Sequence, residues 1–125
     1  MSGTDVLIDT NICIYLLAGD TTVSELLQDQ SIAISVITEM ELYAFNDQNP
    51  ASLRILDTFI ESVSIVNIEQ KVKFNTIKIR RDSKLKLPDA IIAASALSYN
   101  LPFISADAGF KRVSALDLFL YQVNQ

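Results

Sequence analysis

Four carboxylates fall where the chain is expected to turn from strand to helix. Asp9 follows the apolar run Val6-Leu7-Ile8, and Glu41 lies in the segment after Ile32-Ala33-Ile34-Ser35. Asp89 heads an apolar stretch beside Pro88, and Asp107 follows Phe103-Ile104-Ser105. In an open parallel sheet such junctions line one edge, and ligands bind there at the point where strand order reverses. Acids far apart in sequence would then share one pocket. Two carboxylates about 4 Å apart repel by roughly 4 kcal/mol at an effective dielectric near 20, more than the ~0.5 to 2 kcal/mol a helix cap returns. A divalent cation removes that conflict, and oxygen donors without imidazole or thiolate select a hard ion, Mg²⁺ or Mn²⁺. The matching chemistry is displacement at phosphorus, where the ion neutralises phosphate charge and activates water without a histidine base. Singly, each acid also has a plainer role. Asp9 can start a helix, Thr38-x-x-Glu41 reads as a capping box, Asp89 suits a helix dipole and Asp107 can cap a turn.

The absent residues narrow the chemistry. The 125 residues include no His, and Cys13 is the single Cys, so histidine acid–base catalysis, Ser-His and Cys-His nucleophiles, ordinary zinc sites and an intramolecular disulfide are excluded. Cys13 sits in the apolar stretch Ile12 to Leu17 and reads as a small buried hydrophobe. Glycines at positions 3, 19 and 109 cannot write a dinucleotide-binding fingerprint or a Walker phosphate loop. With 50% hydrophobic and 20% charged residues, the chain is expected to form a single domain, 1–125, with a real core. Met1 to Asp5 lacks a basic leader region, and no apolar run nears the roughly 18 residues that span a bilayer, so a soluble cytoplasmic protein with no membrane partner is expected.

A net charge of −5 hides an asymmetry: residues 1–53 hold eight acids and no Lys or Arg, whereas residues 54–125 hold seven acids and ten bases. Seven of those bases, Lys71, Lys73, Lys78, Arg80, Arg81, Lys84 and Lys86, precede Asp89 closely. They read as a phosphate-gripping flank, with Arg80, Arg81, Lys84 and Lys86 as candidate nucleic-acid contacts, or as a solvated helix face, or as a surface for an acidic partner.

The elements that must position these residues alternate. Val6–Ile8, Ile32–Ser35, Ser64–Ile68 and Phe103–Ser105 read as strands, and Leu118–Val123 as an edge strand. Helices are expected from Ile12 to Leu17, after a capping box at Thr22-x-x-Glu25, from Val36 to Asn46, through Leu53 to Val63, over 69–84 without one clean apolar face, and from Pro88 through Leu97. Ala108 to Arg112 reads as a short helical turn. The alternation implies a parallel sheet with helices on both faces.

Leu7-Ile-Asp-Thr-Asn11, Ser35-Val-Ile-Thr-Glu-Met-Glu41-Leu42, Leu87-Pro-Asp-Ala-Ile-Ile-Ala-Ala94 and Leu101-Pro-Phe-Ile-Ser-Ala-Asp107-Ala-Gly-Phe110 resemble, in order, the four motifs of PIN-domain ribonucleases, and among those the VapC-like toxins of type II toxin–antitoxin pairs. The resemblance covers essentially the whole chain. It implies an α/β fold, a three-layer α/β/α sandwich with a central parallel sheet, Mg²⁺- or Mn²⁺-dependent RNA cleavage, a homodimer and an antitoxin that blocks the site. It makes Asp9, Glu41, Asp89 and Asp107 the catalytic and metal-binding acids, with Asn11 and Ser105 as supporting polar residues. One departure is that many relatives carry a further acid shortly after the fourth motif acid, where this chain has Ala108-Gly109-Phe110. Glu39 and Asp82 match no motif position, and Glu39 reads as a solvated surface acid.

A phosphoacceptor receiver domain, of a non-enzymatic signalling class, is the rival reading on length, acidity and doubly wound architecture. It fits less well, because only Asp9-Thr10 follows the first strand and no suitable Lys follows a fifth.

Overall fold

The computed structural model describes residues 3–122. Its first strand, β1 (Val6–Ile8), is buried throughout and ends at Asp9, whose extended backbone and carboxylate cap α1 (Thr10–Leu17). Gly19, at φ +87°, reverses the chain into α2 (Thr21–Leu26). That helix is capped by Asp20, which accepts from Val23 N, so the expected capping box at Thr22 is displaced by an acid two residues earlier. After β2 (Ile32–Ser35), α3 (Val36–Phe45) begins on the Ser35 hydroxyl, which accepts from Ile37 N. The Thr38-x-x-Glu41 box therefore lies inside the helix and caps nothing.

Asn49 caps α4 (Pro50–Ser62), where Pro50 occupies the first turn and loses no hydrogen bond. Then come β3 (Ser64–Val66), shorter than expected at its end, α5 (Gln70–Asp82), α6 (Leu87–Ser98) and β4 (Phe103–Ser105). A 3₁₀ turn (Ala108–Arg112) leads to β5 (Leu118–Leu120). The expected last strand thus stops early, and Val123 lies outside the described residues.

All four strand pairings are parallel, in the order β3-β2-β1-β4-β5. Strand order reverses at β1, which has β2 on one side and β4 on the other. Receiver-type sheets run 2-1-3-4-5, so this order removes the receiver reading. The strand period of two divides the core into two layers. Leu7, Ala33 and Phe103 face α5 and α6, whereas Ile8, Ile34 and Ile104 face α1, α2 and α4, completing the three-layer α/β/α sandwich.

Ala90 to Ala96 are buried on every side of α6. Small residues let this helix lie close to both α5 and the sheet. On α5, Val72, Thr76 and Ile79 face inward while Phe74 and Ile77 stay exposed, which explains the ambiguous periodicity of that segment. Phe103 meets Phe110 edge-on at 4.9 Å, fixing the 3₁₀ turn over the end of β4. No helix among the described residues is long and apolar enough to cross a membrane.

Phe103 has no solvent exposure and joins the sheet, α6 and the 3₁₀ turn in one apolar layer. Phe103→Ala should cost about 3 to 5 kcal/mol in urea unfolding. A loss under about 1 kcal/mol would contradict this packing account.

Candidate functional site

The strand ends bring Asp9, Glu41, Asp89 and Asp107 to one cleft of about 120 Å³, which Thr10, Asn11, Phe45, Ile92 and Phe110 complete. It lies at the carboxyl end of β1, where strand order reverses. Each acid arrives on a different support. Asp9 is 5% exposed, and its Oδ1 accepts from Ile12 N at 3.0 Å while its Oδ2 accepts from the Ser105 hydroxyl. Ser105 also accepts from Asp107 N at 2.9 Å, so one buried serine joins the first and fourth acids. Asp107 Oδ1 accepts from Gly109 N at 2.8 Å. Asp89 enters from the first turn of α6.

Glu41 is held by a residue that sequence reasoning missed. Thr10 Oγ1 donates to Glu41 Oε1 at 2.6 Å and lies 3.0 Å from the Oγ1 of fully buried Thr38. A hydroxyl has one proton; with Thr10's given to Glu41, the contact between the threonines is left for Thr38 to donate. Adjacency to Asp9 was the only sequence signal, and it pointed to a helix start. Gly109 was missed too, although a Cβ there would stand 3.0 Å from Asp107 Oδ1 and displace the carboxylate by a few tenths of an ångström. Among the described residues, no buried side-chain nitrogen or oxygen lacks a hydrogen-bond partner.

The remaining candidates fall around the cleft. Asn11 is on its exposed rim, and Glu39 does not line it. Arg80, Arg81, Lys84 and Lys86 are exposed outside it. Arg80 Nη1 donates to Leu85 O at 2.7 Å, bracing the turn into α6. Lys71 sits 3.7 Å over the Tyr99 ring. Cys13 is buried, and burial followed by the charge of Asp9 pushes its thiol up, which leaves it inert as a nucleophile.

Burial raises the Asp9 carboxyl above its ordinary range; the bonds from Ser105 and Ile12 pull it back, and the charges of Asp107 and Asp89 push it up again. Burial also raises Asp89, reinforced by Asp107 and Glu41 and opposed by Lys86. The acids therefore feel one another's charge. Among the described residues no three acidic, His or Cys side chains form a ready ligand cluster. Spaced carboxylates suit an ion that keeps several waters and takes one or two carboxylates directly, and the cleft has room for such an ion with water. The donor set, oxygen only, fits Mg²⁺ or Mn²⁺.

A family model described as PIN domain matches residues 6–116. The chain is similar to a solved toxin–antitoxin complex from Klebsiella pneumoniae, at 30% identity over 95% of this chain and 100% of that one, with TM-score 0.83. It is similar to VapBC-1 from nontypeable Haemophilus influenzae, at 28% identity over 94% and 98%, with TM-score 0.78. VapBC2 from Rickettsia felis, bound to a DNA fragment from its promoter, gives 25% identity over 94% and 98%, with TM-score 0.79. No curated protein matches the chain by sequence.

Raised carboxyl values carry a sign. Between the ordinary carboxylate range and the raised values of Asp9 and Asp89, the unfolded chain has lost protons that the folded chain keeps. Stability from these groups is therefore greatest at the acid end and falls as pH rises through that window. Asp89→Asn should raise the melting temperature of chelator-treated protein at neutral pH, or leave it unchanged, with a smaller gain near pH 4. The helix N-terminus works against this gain by about 0.3 to 1 kcal/mol. A clear loss at neutral pH would mean that Asp89 serves α6 alone.

Proposed function

Because the chain belongs to the PIN-domain family, we propose that it is a Mg²⁺- or Mn²⁺-dependent endoribonuclease, the toxin of a type II toxin–antitoxin pair. The observation that carries the reading is the convergence of Asp9, Glu41, Asp89 and Asp107, from four separate segments, on one cleft at the switch point of the sheet. Similarity to chains of toxin–antitoxin complexes supports the biological setting.

The four acids would hold the ion, one or two directly and the others through its waters, and the ion when bound supplies charge neutralisation at the phosphate and activation of water. The protein's own part is preorganisation. Ser105 fixes the orientation of Asp9 and the approach of Asp107, while Thr10, backed by Thr38, fixes Glu41. Buried Ile92 and Phe110 give the cleft its apolar walls, and exposed Phe45 stands at its rim. Water would add across the phosphodiester P–O bond, leaving one phosphate end and one hydroxyl end. Lys86, whose charge favours the ionised form of Asp89, would meet substrate phosphate beside that acid, with Arg81 and Lys84 exposed nearby in sequence and Arg80 shared with the Leu85 carbonyl.

Two apolar surfaces support the expected protein partners. A groove of about 470 Å³ between α1, α3 and α4 includes Ile14, Ile55 and Phe45, and Phe45 also borders the acid cleft. An antitoxin helix seated there would reach the site. A separate face with Ile68, Phe74, Ile77 and Leu87 exposed on and around α5 suits a second copy of the chain in a homodimer.

Asp9→Asn should abolish cleavage of single-stranded RNA in Mn²⁺ without unfolding the protein, and chelator should silence the parent. Undiminished cleavage in chelator by a nuclease-free preparation would sink the proposal. Mn²⁺ should also stabilise the parent in thermal melts, by about 2.7 kcal/mol at a hundredfold excess over Kd, and less in the variant. Thr10→Val should weaken Mn²⁺ binding several-fold while Thr10→Ser keeps it; equal affinities would leave Thr10 a packing residue.

A further inference from the structure

The acid cleft is electrostatically one-sided. Its Glu41 flank comes from residues 1–53, which contain no Lys or Arg; Asp89 and Asp107 come from the part of the chain that holds all ten bases. A cleft of carboxylates repels a polyanion, so the affinity for one must come from cations close by. On the Asp107 side the fold supplies them from two segments far apart in sequence. Lys78 of α5 and Arg112 at the end of the 3₁₀ turn line one groove of about 390 Å³, together with the Ser114 hydroxyl and Asn75, whose amide donates one hydrogen to Ser98 Oγ at 2.8 Å and keeps a second. Asp82 lines it as well and sets a limit on how strongly anions are held.

The spacing fits a strand leaving the cleft. The 3₁₀ turn starts beside Asp107 and ends at Arg112, five residues at about 2.0 Å rise, or roughly 10 Å. That is about three stacked nucleotides at about 3.4 Å each. Cations with amide and hydroxyl donors are the groups that hold phosphate and sugar while carrying no base specificity.

We propose that the groove between α5 and the segment after the 3₁₀ turn carries the backbone of a single-stranded RNA away from the acid cleft, with Lys78 and Arg112 on its phosphates. The assignment rests on the ribonuclease reading and gives that substrate a direction across the surface. It makes the groove a source of sequence-independent affinity, felt by substrates that extend roughly three nucleotides past the cleft on that side.

The test is fluorescence anisotropy of the full chain with a labelled single-stranded RNA, titrated in EDTA across a salt series. Lys78→Gln with Arg112→Gln should flatten the slope of log K against log salt by up to about 1.4, at about 0.7 per single-strand phosphate contact, and should do so alike for unrelated sequences. Both side chains are exposed, so the melting temperature should hold and exclude misfolding as the cause. Arg54→Gln removes a positive charge from an exposed residue of α4 that lines neither the groove nor the acid cleft and should leave the slope unchanged. An unchanged slope in the first variant, or an equal change in the control, overturns the proposal. So does affinity lost for polyglutamate but not for RNA, which would make the groove a protein-binding surface. Binding is read without metal. Absence of cleavage in Mn²⁺ would therefore count against the ribonuclease reading alone, while the slope judges the groove.

Discussion

A carboxylate almost sealed from water at the end of the central strand is the constraint on which the rest of the site depends. Asp9 can be buried there because both oxygens receive hydrogen bonds, one from Ile12 N in its own helix and one from Ser105 across the sheet. The first bond starts α1; the second ties β1 to β4. Since Ser105 also receives Asp107 N, the same contact decides where the chain goes after β4. A carboxylate in this position is costly as an anion unless a cation compensates it. Ordinary helix capping would not require the other three acids to face it.

The supporting hydrogen bonds divide the labour among the acids. Asp9 and Asp107 are fixed by bonds that belong to the fold, and Glu41 by a hydroxyl pair beneath α1 and α3. A half-buried Asp89 at the head of α6 is the acid most affected by the cationic side of the molecule, through Lys86. The α6 helix that presents it is buried from Ala90 to Ala96 against α5 and the sheet, so the turn that carries Asp89 is anchored directly behind it. Rigid support of this kind lets mutually repelling groups remain close.

Charge is arranged with the same economy. The strands and helices before Arg54 contribute acids and apolar surface; the bases begin later and concentrate on α5, the turn into α6 and the 3₁₀ turn. Because the sheet is parallel, the loops of both halves reach the same edge. An acidic centre with cations along one side is the outcome, although the net charge of −5 taken alone argues against a polyanionic partner.

The sequence by itself determined the order and type of nearly all the elements, because short buried runs and helical spacing are local signals. It also determined the chemistry that was open. Without His, and with one buried Cys, carboxylates were the groups left for a metal-assisted reaction, and four motifs in order pointed to one family. Some features were decided only by tertiary structure. Thr10 and Glu41 meet because α1 and α3 pack on the same edge, and no spacing within either segment encodes that contact. Asp20 displaced the cap expected at Thr22, and Ser35 displaced the one expected at Thr38, because backbone geometry at the helix entry selects among nearby candidates. The inward face of α5 stayed ambiguous in sequence because an outward face carrying Phe74 and Ile77 is nearly as apolar as the buried one. Lys78 and Arg112 share a groove for the same reason that four distant acids share a cleft: strand order in a sheet is set by long-range pairing, and periodicity along the chain carries no record of it.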